Sequence, residues 1–430
     1  MEYGEVIRYL YDMLPMYQRI GNSAIKKDLK NTRKLCKLLG HPQDKFKSIH
    51  VAGTNGKGSS SHMLASILAQ SGYKTGLYTS PHLKNFNERI KVNGEPVTED
   101  YIVDFVESMK PAIGSIKPSF FELTVAMAFD YFARENVDIA VIEVGLGGRL
   151  DSTNVIDPEV SLITNISYDH QEMLGETLEE IATEKGGIIK KKVPVVIGER
   201  DKATNGVFRK MAKKRKSTLL FAADQFKIES IGVGNKGHEI EVYDPENEVV
   251  LNCLLETPGL TQLKNIPGVL SVIDILVNHG YNISKEDIRF GLEHYQKSTG
   301  LKGRWQTLNS RPRVIADIAH NQAGLENITR QLMNMKKGKL YCILGFMKEK
   351  DIGQILPLFP KNAEYVFCQP KVPRALDVKW LALQAALYDL KGEVIPDVNE
   401  ALRVVLEKSS DADIIFVGGS TFVVSELENL

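Results

Sequence analysis

The chain reads as an α/β protein of two domains, a P-loop-type parallel-sheet ATPase domain followed by a smaller, Rossmann-like α/β domain. Three observations predict this. Short β-branched runs alternate with helical patterns along nearly the whole sequence, the rhythm of βαβ units and parallel sheets. A glycine-rich turn lies between the first of these strands and the helix after it, as in a phosphate cradle. The rhythm restarts after the polar, glycine-containing stretch Lys297–Gly303, which marks a boundary. The predicted domains are residues 1–298 and 299–430.

Buried strands are predicted at Phe46–Ala52, Thr75–Thr79, Asp138–Val144, Val160–Ile166 and Val193–Ile197, where apolar runs are short and β-branched. Helical spacing occupies Gly58–Ser71, Tyr101–Met109, Glu122–Glu135 and Leu178–Lys190. Helices then cover both faces of the sheet. Phe226–Leu254 differs: it alternates polar and apolar residues after Gly232, Gly234 and Gly237, the pattern of an antiparallel edge hairpin. A helix over Ile266–Val277 follows, with Pro267 marking its start. In the second domain, strands are expected at Val314–Ile318, Leu340–Leu344, Tyr365–Cys368 and Ile414–Val417.

Composition excludes several classes. With 54 basic and 54 acidic residues the formal net charge is zero, so no global field attracts nucleic acid or anionic lipid. The cluster Lys210, Lys213, Lys214, Arg215 and Lys216 reads as a solvated helix face. No apolar stretch approaches the roughly 20 residues of a membrane span, and Met1–Tyr11 lacks the apolar core of a signal peptide. Four cysteines, none in a CxxC pair, fit a reducing cytoplasm.

The chemistry begins at Gly53-Thr54-Asn55-Gly56-Lys57-Gly58-Ser59. Glycines let several N–H groups converge on one anion, and the following helix adds the positive end of its dipole. Lys57 supplies a point charge for terminal phosphates, and Ser59 or Ser60 a hydroxyl near magnesium. The spacing departs from the usual P-loop: Gly58 separates the lysine from the serine, and Gly53 to Gly56 is short. Three further polar segments end predicted strands: Thr79–Leu83, Glu143–Asp151 and Asn165–His170. In a parallel sheet they share the edge that carries Lys57. Ser80, Glu143 and His170 then form a candidate magnesium site, with oxygen ligands preferred. In the second domain Arg304 is suited to a nucleotide phosphate across a cleft, and Asp317, at a strand end, to a ribose hydroxyl.

These motifs together resemble one family. The Gly53–Ser59 loop is similar to the ATP loop of the Mur ligase superfamily. Within it, Ser80-Pro81-His82-Leu83, Phe86-Asn87-Glu88-Arg89-Ile90, Glu143–Asn154 (EVGLGGRLDSTN), Asp317–Asn321 (DIAHN) and Pro373-Arg374-Ala375 resemble folylpolyglutamate and dihydrofolate synthases, in order from about residue 18 to 420. The resemblance implies a monomeric cytoplasmic ligase that uses ATP and Mg2+. It would join L-glutamate to the terminal carboxylate of a folate through an acyl phosphate, without nucleic acid or membrane partners. It implies that Gly53, Thr54, Asn55, Gly56, Lys57, Gly58 and Ser59 hold ATP with Asn265, Arg304 and Asp317. Ser80, Glu143 and His170 take the metal positions, and Lys57, Lys185 and His170 the catalytic ones. Lys185 matches a lysine carbamylated in relatives. Phe121, Glu122, Leu150 and Asp151 fall where the pterin is held, and His320 is assigned to glutamate. Two segments depart: Thr261–Pro267 replaces a His-Gln…Asn-Ala pattern, and Asn22–Lys30, a region used near the pterin, matches weakly.

The alternatives are a bifunctional enzyme that also acts on dihydropteroate, a Mur-type cell-wall ligase, a kinase and a non-enzymatic nucleotide-binding module. Only about fifty residues precede Gly53, which leaves no room there for the UDP-binding domain of a cell-wall ligase.

Overall fold

The structure, a computed structural model, describes residues 1–16, 21, 28–234, 237–256, 259–335 and 338–430. Most of the weakly matching segment, residues 22–27, lies outside the described residues. The chain divides into two compact units. Met1–Glu256 with Gln262–Leu301 form the first, and Lys302–Leu430 with a few residues before Gln262 the second.

The first unit is built on β1 (Lys47–Ala52), β2 (Thr75–Tyr78), β3 (Ile90–Val92), β4 (Glu95–Pro96), β5 (Ile139–Glu143), β6 (Val160–Ile163), β7 (Val195–Ile197) and β8 (Leu219–Phe221). They form one sheet in the order β4-β3-β2-β5-β1-β6-β7-β8. The six strands from β2 to β8 in that order are parallel, and β3 and β4 run antiparallel at one edge. Alternation along each strand feeds two cores. Ile49, Val51, Leu77, Ile139 and Val141 face one, and Tyr78, Ala140 and Ile142 the other, so both faces are covered as a parallel sheet requires. Connections leave β1 first towards β2 and later towards β6. The loop after β1 therefore sits at the reversal point of the sheet, on the carboxyl edge of the strands, where ligands of such folds bind.

Two expectations are corrected. Residues 226–255 are not an edge hairpin of the large sheet. They form a separate antiparallel sheet of β9 (Lys227–Gly234), β10 (Gly237–Tyr243) and β11 (Val249–Leu255), in the order β11-β10-β9. Its inward residues Ile240, Val242, Cys253 and Leu255 pack into the helical layer with Ile266, Val269 and Leu292. Burial of that face outweighs any gain from extending the main sheet. Nor does Pro267 start a helix: the helix runs Thr261–Asn278 with Pro267 inside it. Proline forfeits the bond to the carbonyl four residues back. Buried Ile266, Val269 and Leu270 on either side hold the helix together.

The second unit carries β12 (Gln306–Ser310), β13 (Arg313–Asp317), β14 (Leu340–Leu344), β15 (Glu364–Phe367), β16 (Gly392–Val394) and β17 (Ile414–Gly418), in the order β12-β13-β17-β14-β15-β16. All but β12 are parallel. Both units are α/β, as the alternating pattern predicts. All four cysteines are buried and free.

Candidate active site

The loop after β1 has a backbone that only glycine supports. Gly53 has φ +145 and Gly56 φ +82. A Cβ on Gly53 would lie 1.8 Å from Thr164 Oγ1, and one on Gly56 2.1 Å from Asn265 Oδ1. Gly56 precedes the helix Lys57–Gln70, whose first N–H groups have no partners within the helix and mark an anion site. The loop is braced from the end of β6. Thr54 N–H donates to Asn165 O (2.9 Å), Asn55 N–H to Asn165 Oδ1 (3.0 Å), and Thr164 Oγ1 to Asn55 O (2.6 Å). Sequence reasoning missed Thr164. Its signal is register: Ala52 pairs with Ile163, so the residues just beyond each strand must meet. Asn265 lies against Gly56 and donates to Gln262 Oε1 (3.1 Å).

Two lysines converge on this loop. Lys57 Nζ donates to Thr54 O (3.0 Å), and Lys185 Nζ to Gly53 O (3.0 Å). Lys185 is buried, and its pKa falls to about 7. Burial is the main cause and the Lys57 charge the second, with Asp169 and Asp151 opposing. An ammonium held near neutrality beside a phosphate loop is poised to lose its proton.

Ser80 and Glu143 are brought together: the Ser80 N–H donates to Glu143 Oε2 (3.0 Å), and Glu143 ends β5 beside Val51 of β1. The Phe86–Ile90 motif braces the chain on either side of Ser80: Thr79 N–H donates to Arg89 O (3.0 Å). Glu88 accepts from Leu83 N–H (2.7 Å), Lys84 N–H (3.1 Å) and Asn85 N–H (3.0 Å). Arg89 Nε donates to His82 Nδ1 (2.7 Å). Guanidinium cannot accept, so Nδ1 carries no proton, and burial, then Arg89, hold the His82 pKa at about 2. His170 has φ +52 and precedes a short helical turn, Gln171–Leu174; its Nε2 lies 3.9 Å from Asp169 Oδ2. Among the described residues no cluster of three His, Cys, Asp or Glu forms a closed metal cage. A hydroxyl and one carboxylate, leaving positions for water and phosphate oxygens, is the donor set magnesium accepts beside a nucleotide.

Of the four pterin candidates, Phe121 and Asp151 border the same loop, at Gly145 and Leu146. A Cβ on Gly145 would lie 2.3 Å from the Phe121 ring, and Gly145 belongs to the run that ends at Leu150 and Asp151. Glu122 lies in the first turn of the helix Phe120–Arg134 and accepts from Ser119 N–H (2.7 Å) and Asn31 Nδ2 (3.2 Å). Asp151 is buried and accepts from Leu146 N–H (2.9 Å), Thr153 N–H (3.0 Å) and Thr153 Oγ1 (2.5 Å); burial raises its pKa even so. Because the Thr153 hydroxyl donates to Asp151, it accepts from His50 Nε2 (2.9 Å). His50 is thereby fixed as the neutral Nε2–H tautomer, its pKa lowered to about 3 by burial and then Lys190. Sequence reasoning assigned no role to His50 or Thr153, since a histidine inside a strand carries no local signal of its partner.

In the second unit, Asp317 ends β13 and accepts from Trp305 N–H (2.7 Å) and Ala319 N–H (2.8 Å). Burial raises its pKa while nearby Arg304 opposes, so Gly303–Trp305 and Asp317–Asn321 form one cluster. His320 Nδ1 donates to Ile318 O (3.0 Å). Asn321 caps the helix Gln322–Asn334.

Known proteins share this architecture. Residues 51–273 match the Mur ligase middle domain, and residues 303–421 the Mur ligase glutamate ligase domain. The dihydrofolate synthase/folylpolyglutamate synthase of Bacillus subtilis is 30% identical over 417 residues, covering 94% of this chain and 95% of its own length. The folylpolyglutamate synthase structure of Thermotoga maritima is 33% identical with a TM-score of 0.82, covering 98% of this chain and 95% of that one. Escherichia coli FolC in complex with DHPP and ADP is 27% identical with a TM-score of 0.83, covering 99% and 96%. The chain therefore belongs to the Mur ligase superfamily and, within it, to the folylpolyglutamate synthase/dihydrofolate synthase family.

Proposed function

We propose that the protein is an ATP-dependent ligase that adds L-glutamate to the terminal carboxylate of a folate. The observation that carries this is the braced Gly53–Gly56 turn with Lys57, Lys185 and the Ser80–Glu143 pair on adjacent strand ends, in a chain of this family. The reaction brings together two anions, ATP and a carboxylate. A carboxylate oxygen attacks the γ-phosphorus and ADP leaves. The glutamate amine then attacks the acyl carbon, loses its proton, and phosphate leaves as the amide forms. Little covalent chemistry falls to the protein, which positions the reactants and neutralises charge.

In this reading the amides of Gly53–Ser59 and the Lys57 ammonium hold the phosphates, and Asn265, Arg304 and Asp317 hold the rest of the nucleotide. Ser80, Glu143 and His170 hold magnesium, which when bound supplies positive charge against the phosphoryl oxygens. Lys185, carbamylated, becomes an anion at the same place. Phe121 and Leu150 offer apolar surface to the pterin. Glu122 and Asp151 set the loops that carry it, as their bonds to Ser119, Asn31, Leu146 and Thr153 support. His320 takes the incoming glutamate. Residues 1–298 bind ATP and folate, and residues 299–430 complete the nucleotide and glutamate sites. The protein acts as a cytoplasmic monomer on small molecules. Its zero net charge, buried free thiols and, among the described residues, the lack of any helix long and apolar enough to cross a membrane support that placement.

The bifunctional reading, with dihydropteroate as a second acceptor, is kept because the Bacillus subtilis relative bears both names. ADP release is the test, measured with a reduced folate and magnesium, with and without L-glutamate. Release that requires both substrates is expected. Release with no acceptor requirement, or none at all, overturns the proposal, and release with dihydropteroate decides the second activity.

A further inference from the structure

The carboxyl end of β7 carries a carboxylate that belongs to none of the motifs. Gly198 N–H donates to Ile163 O (2.8 Å) and Glu199 N–H to Thr164 O (2.9 Å), so the pairing of β6 with β7 continues past Ile197. A Cβ on Gly198 would lie 2.4 Å from Thr164 O, so glycine is needed for this close approach. Glu199 is thereby set beside Asn165. The Asn165 Nδ2 donates to Glu199 Oε1 (3.0 Å) and to Asn55 O (3.2 Å). On the far side, Lys264 Nζ lies 4.0 Å from Glu199 Oε2, and the next residue, Asn265, lies against Gly56. A carboxylate can only accept. It holds the Asn165 amide with Nδ2 towards Glu199 and Oδ1 towards the Asn55 N–H, which donates to it (3.0 Å).

Peptide geometry carries this order into the phosphate loop. The bonds on either side of Asn55 are trans, so the C=O and N–H that share each plane point opposite ways. Asn55 O accepts from Asn165 Nδ2 and Thr164 Oγ1. The Gly56 N–H on the same plane therefore faces away from the brace, as an amide offered to an anion must. Across the preceding plane, Asn55 N–H points to Asn165, so Thr54 O points the other way. There it accepts from Lys57 Nζ (3.0 Å). One amide side chain thus aims both the Gly56 N–H and the anchor of Lys57.

We propose that Glu199 is a positioning residue for ATP, acting through Asn165 on the Gly56 amide and on Lys57. The inference deepens the ligase reading and rests on it for the nucleotide. Facing the phosphates directly, a carboxylate would repel them. Held at the end of β7, two strands from β1, and bonded to an amide, it orders the loop instead, and Lys264 offsets its charge.

The test compares the full chain with Glu199→Ala, Glu199→Gln, Asn165→Ala and the double variant Glu199→Ala/Asn165→Ala. With 37% of its side chain exposed, Glu199 can be replaced without opening the core. ADP binding is measured by calorimetry without folate or glutamate, and KM is measured for each substrate. Glu199→Ala should raise the ADP Kd and the KM for ATP about tenfold, the factor expected for one charge-assisted hydrogen bond. KM for folate and for glutamate should stay unchanged. Glu199→Gln keeps an acceptor oxygen in place and should recover part of the loss. The double variant should bind ADP no more weakly than Asn165→Ala alone, because Glu199 acts through Asn165. Equal ADP affinity in the wild type and Glu199→Ala overturns the proposal, as do fully additive effects in the double variant or no recovery in Glu199→Gln. An equal rise in all three KM values also overturns it and marks Glu199 as merely structural. Should Asn165→Ala not fold, the alanine and glutamine variants of Glu199 still decide. A wild type that binds ADP but shows no glutamate-dependent turnover defeats the ligase reading instead, and the calorimetry still decides what Glu199 does.

Discussion

Replacement of Lys185 by methionine should abolish turnover while making the protein more stable. The ammonium of Lys185 falls from 10.5 to about 7, through burial first and the neighbouring Lys57 second. That is about 3.5 units, or about 5 kcal/mol at 1.36 kcal/mol per unit, set against the charged form in the folded state. The direction follows from linkage. The unfolded chain keeps its proton up to about 10.5 while the folded one loses it near 7, so stability rises with pH across that window and the cost is full below it. Methionine fills similar volume with no charge to bury, and it forfeits only the bond to Gly53 O. A net gain of a few kcal/mol at pH 7 is expected, read as a rise in Tm. The same shift leaves about half of the folded molecules with a neutral amine at pH 7, against roughly one in 3,000 for a lysine in water. Only the neutral amine attacks carbon dioxide, so a carbamate should form readily here. With 13C-labelled bicarbonate at pH 8, the wild type should show one carbamate resonance that Lys185→Met lacks, and formate or acetate should partly restore turnover to Lys185→Ala. A fall in Tm on replacement, with no carbamate signal in the wild type, would refute the reasoning and make Lys185 a structural residue.

Three further outcomes can be checked. Gly56→Ala should cripple ATP binding and cost several kcal/mol, because the new Cβ meets Asn265 Oδ1 at 2.1 Å on top of roughly 1–2 kcal/mol for a left-handed backbone. Adding Asn265→Ala removes the clashing atoms and should recover stability but not nucleotide affinity; strictly additive effects in the double variant refute the contact. His50 and His82, held neutral with pKa values of about 3 and about 2, bind protons only on unfolding as pH falls below 6.5, so at pH 5 each should withdraw about 2 kcal/mol. Urea midpoints at pH 7 and 5 test this, and His50→Gln should flatten the slope. Glu143→Ala should demand much more magnesium for the same rate, whereas Lys57→Ala should lower kcat at any magnesium concentration; an unaltered magnesium titration removes Glu143 from the metal site.

The parts of this protein that were legible in the sequence are those where local pattern and global placement agree. The β1 turn could be read because glycine at Gly53 and Gly56 serves backbone geometry that no neighbour can supply. The inner strands β1, β2, β5, β6 and β7, and β13, β14, β15 and β17, could be read because burial on both faces leaves largely apolar runs; the short outer strands β3, β4, β8, β12 and β16 escaped. What escaped was set by tertiary contact. Pro267 lies within a helix because buried neighbours outweigh its local preference. The alternating residues 226–255 mark a sheet, but alternation does not say which sheet they join. Thr164 and His50 escaped for a further reason: each acts through a partner more than a hundred residues away, and spacing along the chain carries no trace of such pairs.

The motifs behave the same way. Phe86–Ile90 stands out as a sequence, yet the contacts found here turn it inward: Glu88 gathers three amides and Arg89 fixes one histidine tautomer. In Glu143–Asn154, the Asp151 carboxylate is likewise taken up by its own loop. Residue identity in such runs is then set by loop shape as much as by ligand chemistry, which gives the distinction a measurable form. Asp151→Asn keeps the side-chain volume and one acceptor oxygen but loses the buried charge that binds the Leu146 and Thr153 donors. If Asp151 is a loop organiser, the substitution should lower Tm and raise KM for folate together. If the carboxylate instead touches the pterin directly, KM should rise while Tm holds or increases, since a buried charge has been removed.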